Sequence, residues 1–145
     1  MKLLTIAVPC YNSQDYMEKC VESLLAGGEE VEILIVDDGS KDKTAEIADR
    51  LEKEHPGMIR AIHQPNKGHG GAVNTGIENA TGLYFKVVDS DDKLKASAFK
   101  MILDTLREYS GAGQEESLDL LISNFVYDKE GASHKKVMEY RKALP

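Results

Sequence analysis

At 145 residues the chain has room for one domain with one sizeable core, and its 41% apolar and 30% charged content exclude a disordered tail. A formal net charge of −7, with no run of basic residues, argues against a nucleic-acid or anionic-membrane surface. No apolar stretch approaches the roughly 18 residues of a membrane span, and Met1-Lys2-Leu3-Leu4 enters a strand-like segment without a signal-peptide cleavage pattern. Leu3 to Val8 is a short apolar run with β-branched residues, closed by Pro9, and predicts a buried strand. Ser13 or Asn12 can cap the helix that follows, in which Tyr16, Met17, Cys20, Val21, Leu24 and Leu25 recur at helical spacing before Gly27-Gly28 ends it. Val31 to Val36 is a second strand, turned by Asp37-Asp38-Gly39-Ser40. Asp42 can cap the next helix, whose inward stripe is Ile47, Ala48 and Leu51 and whose stop is Pro56-Gly57.

Met58 to His63 predicts a third strand. Pro65 to Gly71 reads as a glycine-rich loop, followed by a short helix from Ala72 to Asn79. Leu83 to Val88 is the fourth strand, and Ala96 to Tyr109 a helix with Phe99, Ile102, Leu103 and Leu106 on one side. Leu118 to Ser123 predicts a fifth strand, continued by Asn124 to Asp128 into a hairpin that returns over His134 to Tyr140. Strand and helix alternate four times, the mark of a mostly parallel sheet covered on both faces. Tyr11-Asn12, Asp37 to Ser40, Asn66 to Gly71 and Asp89 to Asp92 all follow strand C-termini, the edge where open α/β sheets bind ligands.

The most informative of these is Asp89-Ser90-Asp91-Asp92, three carboxylates within four residues. Like charges about 4 Å apart repel by roughly 4 kcal/mol at an effective dielectric near 20, so turn stability alone does not select them. A Mg²⁺ or Mn²⁺ ion would turn the repulsion into attraction. The alternative is a solvated Asp-rich turn. Asp38 can accept from a ring N–H or a ribose hydroxyl, or else cap a helix through backbone N–H groups. The Asn66 to Gly71 segment has the composition of a phosphate cradle, with Lys67 adding charge and the next helix offering free N–H groups. It lacks the GxxxxGK[ST] spacing, and a plain loop explains it equally well. His69 in it is a general base, a metal ligand or neither. Tyr11 can stack on a base or pack at the sheet edge. Cys10 and Cys20 have no metal or CxxC spacing and are expected as reduced thiols, and His55, His63 and His134 form no metal spacing.

Val8-Pro9-Cys10-Tyr11-Asn12, Val36 to Ser40 with Asp42 and Thr44, Asn66-Lys67-Gly68 through Ile77, and Ala80 to Asp92 occur in an order and spacing that resemble the family 2 glycosyltransferases. The resemblance covers residues 3 to about 110. It implies a three-layer α/β/α domain of GT-A type, with residues 1–145 as the nucleotide-sugar-binding part and 118–140 leading toward an acceptor half outside the chain. It further implies a UDP-, GDP- or dTDP-linked sugar donor, Mn²⁺ or Mg²⁺ as cofactor, and inverting transfer to a glycan or lipid-linked acceptor. The setting would be cell-surface polysaccharide or glycan synthesis, in the cytoplasm or at the inner face of the membrane. Pro9, Tyr11, Asp38, Lys67, Asp89 and Ser90 would contact the nucleotide sugar, and Asp91 with Asp89, as the DxD element, would hold the metal.

Two departures from the family pattern matter. Val73 stands where members often carry Arg. No carboxylate after Asp92 occupies a recognisable general-base motif, and no QxxRW segment is present. The catalytic base is therefore expected outside this chain. The rival readings are a nucleotide-sugar-binding module without turnover, a receiver-type signalling domain with Asp37-Asp38 as its acid pocket, and a nucleotidyltransferase. A receiver places its paired acids after the first strand, whereas here they follow the second. A nucleotidyltransferase opens with a basic Gly-rich loop, which Pro9 to Ser13 is not.

Overall fold

A computed structural model of the chain describes residues 2–110 and the backbone of two short strands at 125–127 and 136–138. The chain divides into two units, Met1–Arg107 and Glu108–Pro145. The first unit is built on four strands, β1 (Leu4–Cys10), β2 (Val31–Asp38), β3 (Ile59–Gln64) and β4 (Tyr84–Val87). They form one parallel sheet in the order β3-β2-β1-β4. Every residue of the central strands β1 and β2 is buried, as expected of parallel strands covered on both faces. The edge strands β3 and β4 are only partly buried.

Four helices cover the sheet: α1 (Met17–Leu24), α2 (Thr44–Glu54), α3 (Gly68–Asn79) and α4 (Ala96–Ser110), with a 3₁₀ segment over Leu25–Glu30. In α1 the buried residues are Met17, Cys20, Val21 and Leu24, and in α4 they are Phe99, Ile102, Leu103 and Leu106. Both sets follow the i, i+3, i+4, i+7 spacing of a single apolar face. Helix α3 buries Ala72 and Gly76 instead. A Cβ on Gly76 would lie 2.7 Å from that of Ala7, so α3 approaches β1 more closely than a larger residue permits. Buried Glu32 in β2 accepts from Thr5 Oγ1 at 3.0 Å and from Thr81 N and Oγ1 at 3.0 and 2.9 Å. It thereby ties the start of β4 to β1 and β2.

The structure revises three local expectations. Strands β1 and β2 each run two residues further, because Pro9↔Val36 and Cys10↔Asp37 continue the pairing. Pro9 lies beyond Ala7↔Val87, the last pair between β1 and β4, so its missing N–H breaks no bond on that side. Neither Asn12 nor Ser13 caps α1 with its side chain; the Ser13 carbonyl accepts from Tyr16 N and Met17 N at 3.2 and 3.0 Å. Helix α3 begins at Gly68, so most of the glycine-rich stretch is its first turn and not a loop.

In the second unit β5 (Phe125–Tyr127) and β6 (Lys136–Met138) pair antiparallel, with Val126 opposite Val137. The strand expected over 118–123 and the hairpin turn at 129–131 lie outside the described residues.

Candidate nucleotide and metal site

Strand order fixes where a ligand can sit. The chain runs outward from β1 to β2 to β3, then returns to place β4 on the other side of β1. The reversal leaves a crevice between the C-terminal ends of β1 and β4, the place where open α/β sheets bind ligands. Tyr11 follows β1 there, and Asp89 follows β4. A cleft of about 260 Å³ on this edge is lined by Pro9, Cys10, Tyr11, Asp38, Asn66, Gly68, His69 and Ala72. A larger cavity of about 580 Å³ is lined by Lys2, Glu29, His55 to Met58 and Thr81. Those residues precede the strands, so it lies at the opposite edge of the sheet and brings no cluster of acids together.

Tyr11 is 49% exposed, which leaves its ring free to stack on a ligand. Its loop is well anchored. Asn12 adopts a positive φ of 49° and receives the backbone of the next loop, with Lys41 N donating to Asn12 Oδ1 at 2.8 Å and Asn12 N donating to Ser40 Oγ at 3.0 Å. Asn tolerates this left-handed conformation better than most residues.

Asp38 is buried, and its carboxylate accepts three hydrogen bonds: Gln64 Nε2 at 2.9 Å, Lys67 N at 2.7 Å and Gly68 N at 2.9 Å. It therefore caps the N-terminus of α3, a helix distant in sequence, and also borders the cleft. This corrects the picture of the Asn66 to Gly71 stretch as a cradle of free N–H groups, because two of those groups already meet Asp38. Gly39 makes the approach feasible: it has φ 75°, and a Cβ there would lie 2.8 Å from Asn66 N.

Asp37 is engaged differently. Its Oδ1 accepts from Ser40 N at 3.0 Å, and its Oδ2 meets His63 Nδ1 at 2.8 Å. The other ring nitrogen, Nε2, meets Asp49 Oδ1 at 2.7 Å. The bonds to Asp37 and then Asp49 raise the His63 pKa above its ordinary value, favouring the imidazolium that donates from both nitrogens. Sequence spacing gave His63 no role. The signal available was register, since His63 sits opposite Asp37 on the neighbouring strand.

Asp89, Asp91 and Asp92 present carboxylate oxygens within 4.8 Å of one another, and all three residues are exposed. The turn is closed by Asp92 N donating to Asp89 O at 2.9 Å. Partial burial and then the charges of Asp91 and Asp89 raise the Asp92 pKa. Among the described residues no cationic side chain neutralises this cluster; its one near neighbour is His69, whose Nε2 lies 3.8 Å from Asp89 Oδ1. Hard oxygen donors converging without a counter-charge suit a divalent cation such as Mn²⁺ or Mg²⁺. Ser90, between them, is buried, with its Oγ 2.9 Å from Ser13 Oγ. Lys67 is exposed and meets the site through its backbone N–H. Burial and then the charge of Asp37 push the Cys10 thiol up to about 12, and burial also raises Cys20, which favours the neutral thiol at both. No helix among the described residues is long and apolar enough to cross a membrane.

Comparison with known proteins agrees with this geometry. The chain is 37% identical over 131 residues to glycosyltransferase GlyG of Streptococcus pneumoniae, an alignment covering 88% of this chain and 41% of that protein. In fold it resembles S. aureus TarS 1–349 in complex with UDP-GlcNAc, with a TM-score of 0.67 at 24% identity over 86% of this chain and 39% of that 1–349 chain. It likewise resembles the mannosyltransferase PcManGT of Pyrobaculum calidifontis in complex with GDP-Man and Mn²⁺, with a TM-score of 0.64 at 22% identity over 75% and 32% of the two chains. These neighbours carry the GT-A architecture, and the chain spans about two-fifths or less of each of these proteins. The model of Glycosyl transferase family 2 matches residues 5–113. The sheet, its ordered edge motifs and that match over most of the sequence agree: the chain belongs to glycosyl transferase family 2.

Proposed function

We propose that this chain is the donor-binding part of a glycosyltransferase, which holds a nucleotide-diphospho sugar and a divalent cation at the crevice between β1 and β4. The observation that carries the reading is the adjacency of two unlike surfaces. A cleft bordered by Tyr11 and Asp38 meets, through His69, an acidic turn that no cationic side chain among the described residues neutralises. The cleft is smaller than the roughly 300–1,000 Å³ of pockets that bury a whole ligand. It would seat the nucleoside, leaving the diphosphate along the Asp89 to Asp92 edge.

Tyr11 would stack on the base, and Pro9 would shape the floor beneath it. Asp38 would contribute chiefly by fixing the α3 N-terminus, with remaining acceptor capacity for a base N–H or ribose hydroxyl. Lys67 would assist at the phosphates. Asp91 and Asp89 would hold Mn²⁺ or Mg²⁺, with Ser90 keeping them apart. The bound ion would stabilise the charge that develops on the departing nucleoside diphosphate. TarS and PcManGT, of the same fold, are known with a UDP-linked and a GDP-linked sugar, so either base is compatible with the architecture.

Inverting transfer needs a general base at the acceptor hydroxyl. We place that base, and the contacts to a glycan or lipid-linked acceptor, in the part of the family's length that this chain does not span. Polysaccharide or glycan synthesis in the cytoplasm or at the inner membrane face is the corresponding setting. The test is calorimetric titration of the chain with UDP, GDP and dTDP, each with and without Mn²⁺. Metal-dependent binding of one nucleotide is expected; binding of none, or binding indifferent to metal, would contradict the proposal.

A further inference from the structure

Resting on the donor-site reading above, we infer that Ser13 and Ser90 are a positioning pair that couples the nucleotide loop after β1 to the acidic turn after β4. The two residues lie 77 positions apart in sequence, on opposite sides of the crevice. The last backbone bond across it is Val88 N to Ala7 O at 3.0 Å. Beyond that point the 2.9 Å contact between the Ser13 and Ser90 hydroxyls joins the two loops. Both side chains are buried, at 1% and 8% exposure, so water does not compete for the bond.

The Ser13 hydroxyl is held from the nucleotide side as well. Tyr11 N donates to it at 3.1 Å, and Tyr11 O lies 3.3 Å away. A hydroxyl has one proton to give and two lone pairs to receive. All three contacts are satisfied together only if Ser13 donates to Tyr11 O and accepts from Tyr11 N–H and from Ser90 O–H. The Ser13 backbone is fixed in turn, its N–H donating to Thr44 Oγ1 at 2.8 Å. On the other side Ser90 separates Asp89 from Asp91. Helix α1 braces that turn at two more points: Cys20 Sγ donates to Asp89 O at 3.5 Å, and Leu94 N donates to Ser23 Oγ at 3.1 Å.

A displacement of Tyr11 on base stacking therefore reaches the spacing of the carboxylates through this hydroxyl pair, beside the contact of His69 with Asp89. Linkage makes the effect reciprocal: cation binding tightens nucleotide binding by the same factor that nucleotide tightens cation binding. The coupling requires neither serine to touch the ligand. They act through Tyr11, Asp89 and Asp91.

The experiment measures how much saturating Mn²⁺ tightens the nucleotide, using whichever of UDP, GDP and dTDP the wild type binds best. It compares wild type, Ser13→Ala, Ser90→Ala and the double variant, with thermal midpoints as the folding control. Each single substitution is expected to reduce the Mn²⁺ enhancement about fivefold, the effect of one lost hydrogen bond, and the double variant to lose no more than either single. Ser90→Ala removes only the Ser90 side of the pair. It keeps the Tyr11–Ser13 bonds, so it carries the test if Ser13→Ala does not fold. Wild-type enhancement in Ser90→Ala, or losses that multiply in the double variant, would overturn the pairing while the donor site stands. A wild type indifferent to Mn²⁺ would overturn the donor-site reading and this inference with it.

Discussion

Two acidic stretches stand at the C-terminal ends of β2 and β4, strands of one sheet with β1 between them, and the protein treats them in opposite ways. Asp37 and Asp38 are buried, and their carboxylates meet donors of the chain itself: Ser40 N and His63 for one, Gln64, Lys67 N and Gly68 N for the other. Asp89, Asp91 and Asp92 are exposed and face one another within 4.8 Å, and among the described residues the basic side chain beside them is His69. Charge that folding has neutralised serves the fold first. Charge that folding has gathered and left without a partner costs stability unless something from outside balances it. The contrast separates an acidic pair that shapes the site from an acidic cluster suited to receive a cation.

The largest effect expected is on binding. Asp91→Ala should reduce Mn²⁺-dependent nucleotide affinity by at least about tenfold, measured by calorimetry, with folding stability unchanged or raised. Unchanged affinity would break the comparison on its metal side. Asp38→Ala should act on the fold. It leaves Lys67 N, Gly68 N and Gln64 Nε2 without their acceptor and should cost roughly 2–4 kcal/mol in urea denaturation. A stable Asp38→Ala protein with weakened nucleotide binding would show that Asp38 belongs with the ligand instead.

Asp92→Asn should raise the metal-free melting temperature slightly, because burial and the charges of Asp91 and Asp89 disfavour its ionised form. A lower melting temperature would mean that the cluster is balanced in a way the geometry does not display. The smallest effect belongs to His63. Its pKa is raised in the fold, chiefly by Asp37 and then Asp49. The stability this contributes is fully present below the unfolded value of 6.5 and is lost as pH rises through the raised one. The destabilisation caused by His63→Gln should thus be larger at about pH 6 than at about pH 9 in denaturation curves. Equal destabilisation at both would mean the imidazolium is not the form that the two carboxylates hold.

What the sequence made legible follows from how far apart the interacting residues are. The central strands β1 and β2 are visible because a parallel strand buried on both faces is an apolar run, and α1 and α4 because their apolar spacing is local. The acidic cluster was visible because three carboxylates in four residues are hard to explain by folding alone. The surroundings of Asp38 were not visible, because two of its three donors are backbone N–H groups at the start of α3, 29 and 30 residues away, that carry no side-chain signature. The same holds for Ser13, whose hydroxyl partner is 77 residues distant, and for His63, which needs the register of β2 and β3. The glycines of Gly68 to Gly71 suggested a loop because glycine is a poor helix former, yet the Asp38 carboxylate caps and favours that first turn.

The most direct measurement is Mn²⁺ binding in the presence of nucleotide, followed by the loss of the free-ion electron paramagnetic resonance signal, for wild type, Asp91→Ala and Asp37→Asn. The account predicts that wild type and Asp37→Asn take up the ion and Asp91→Ala does not. Uptake by Asp91→Ala equal to that of wild type, or its loss in Asp37→Asn alone, would contradict it.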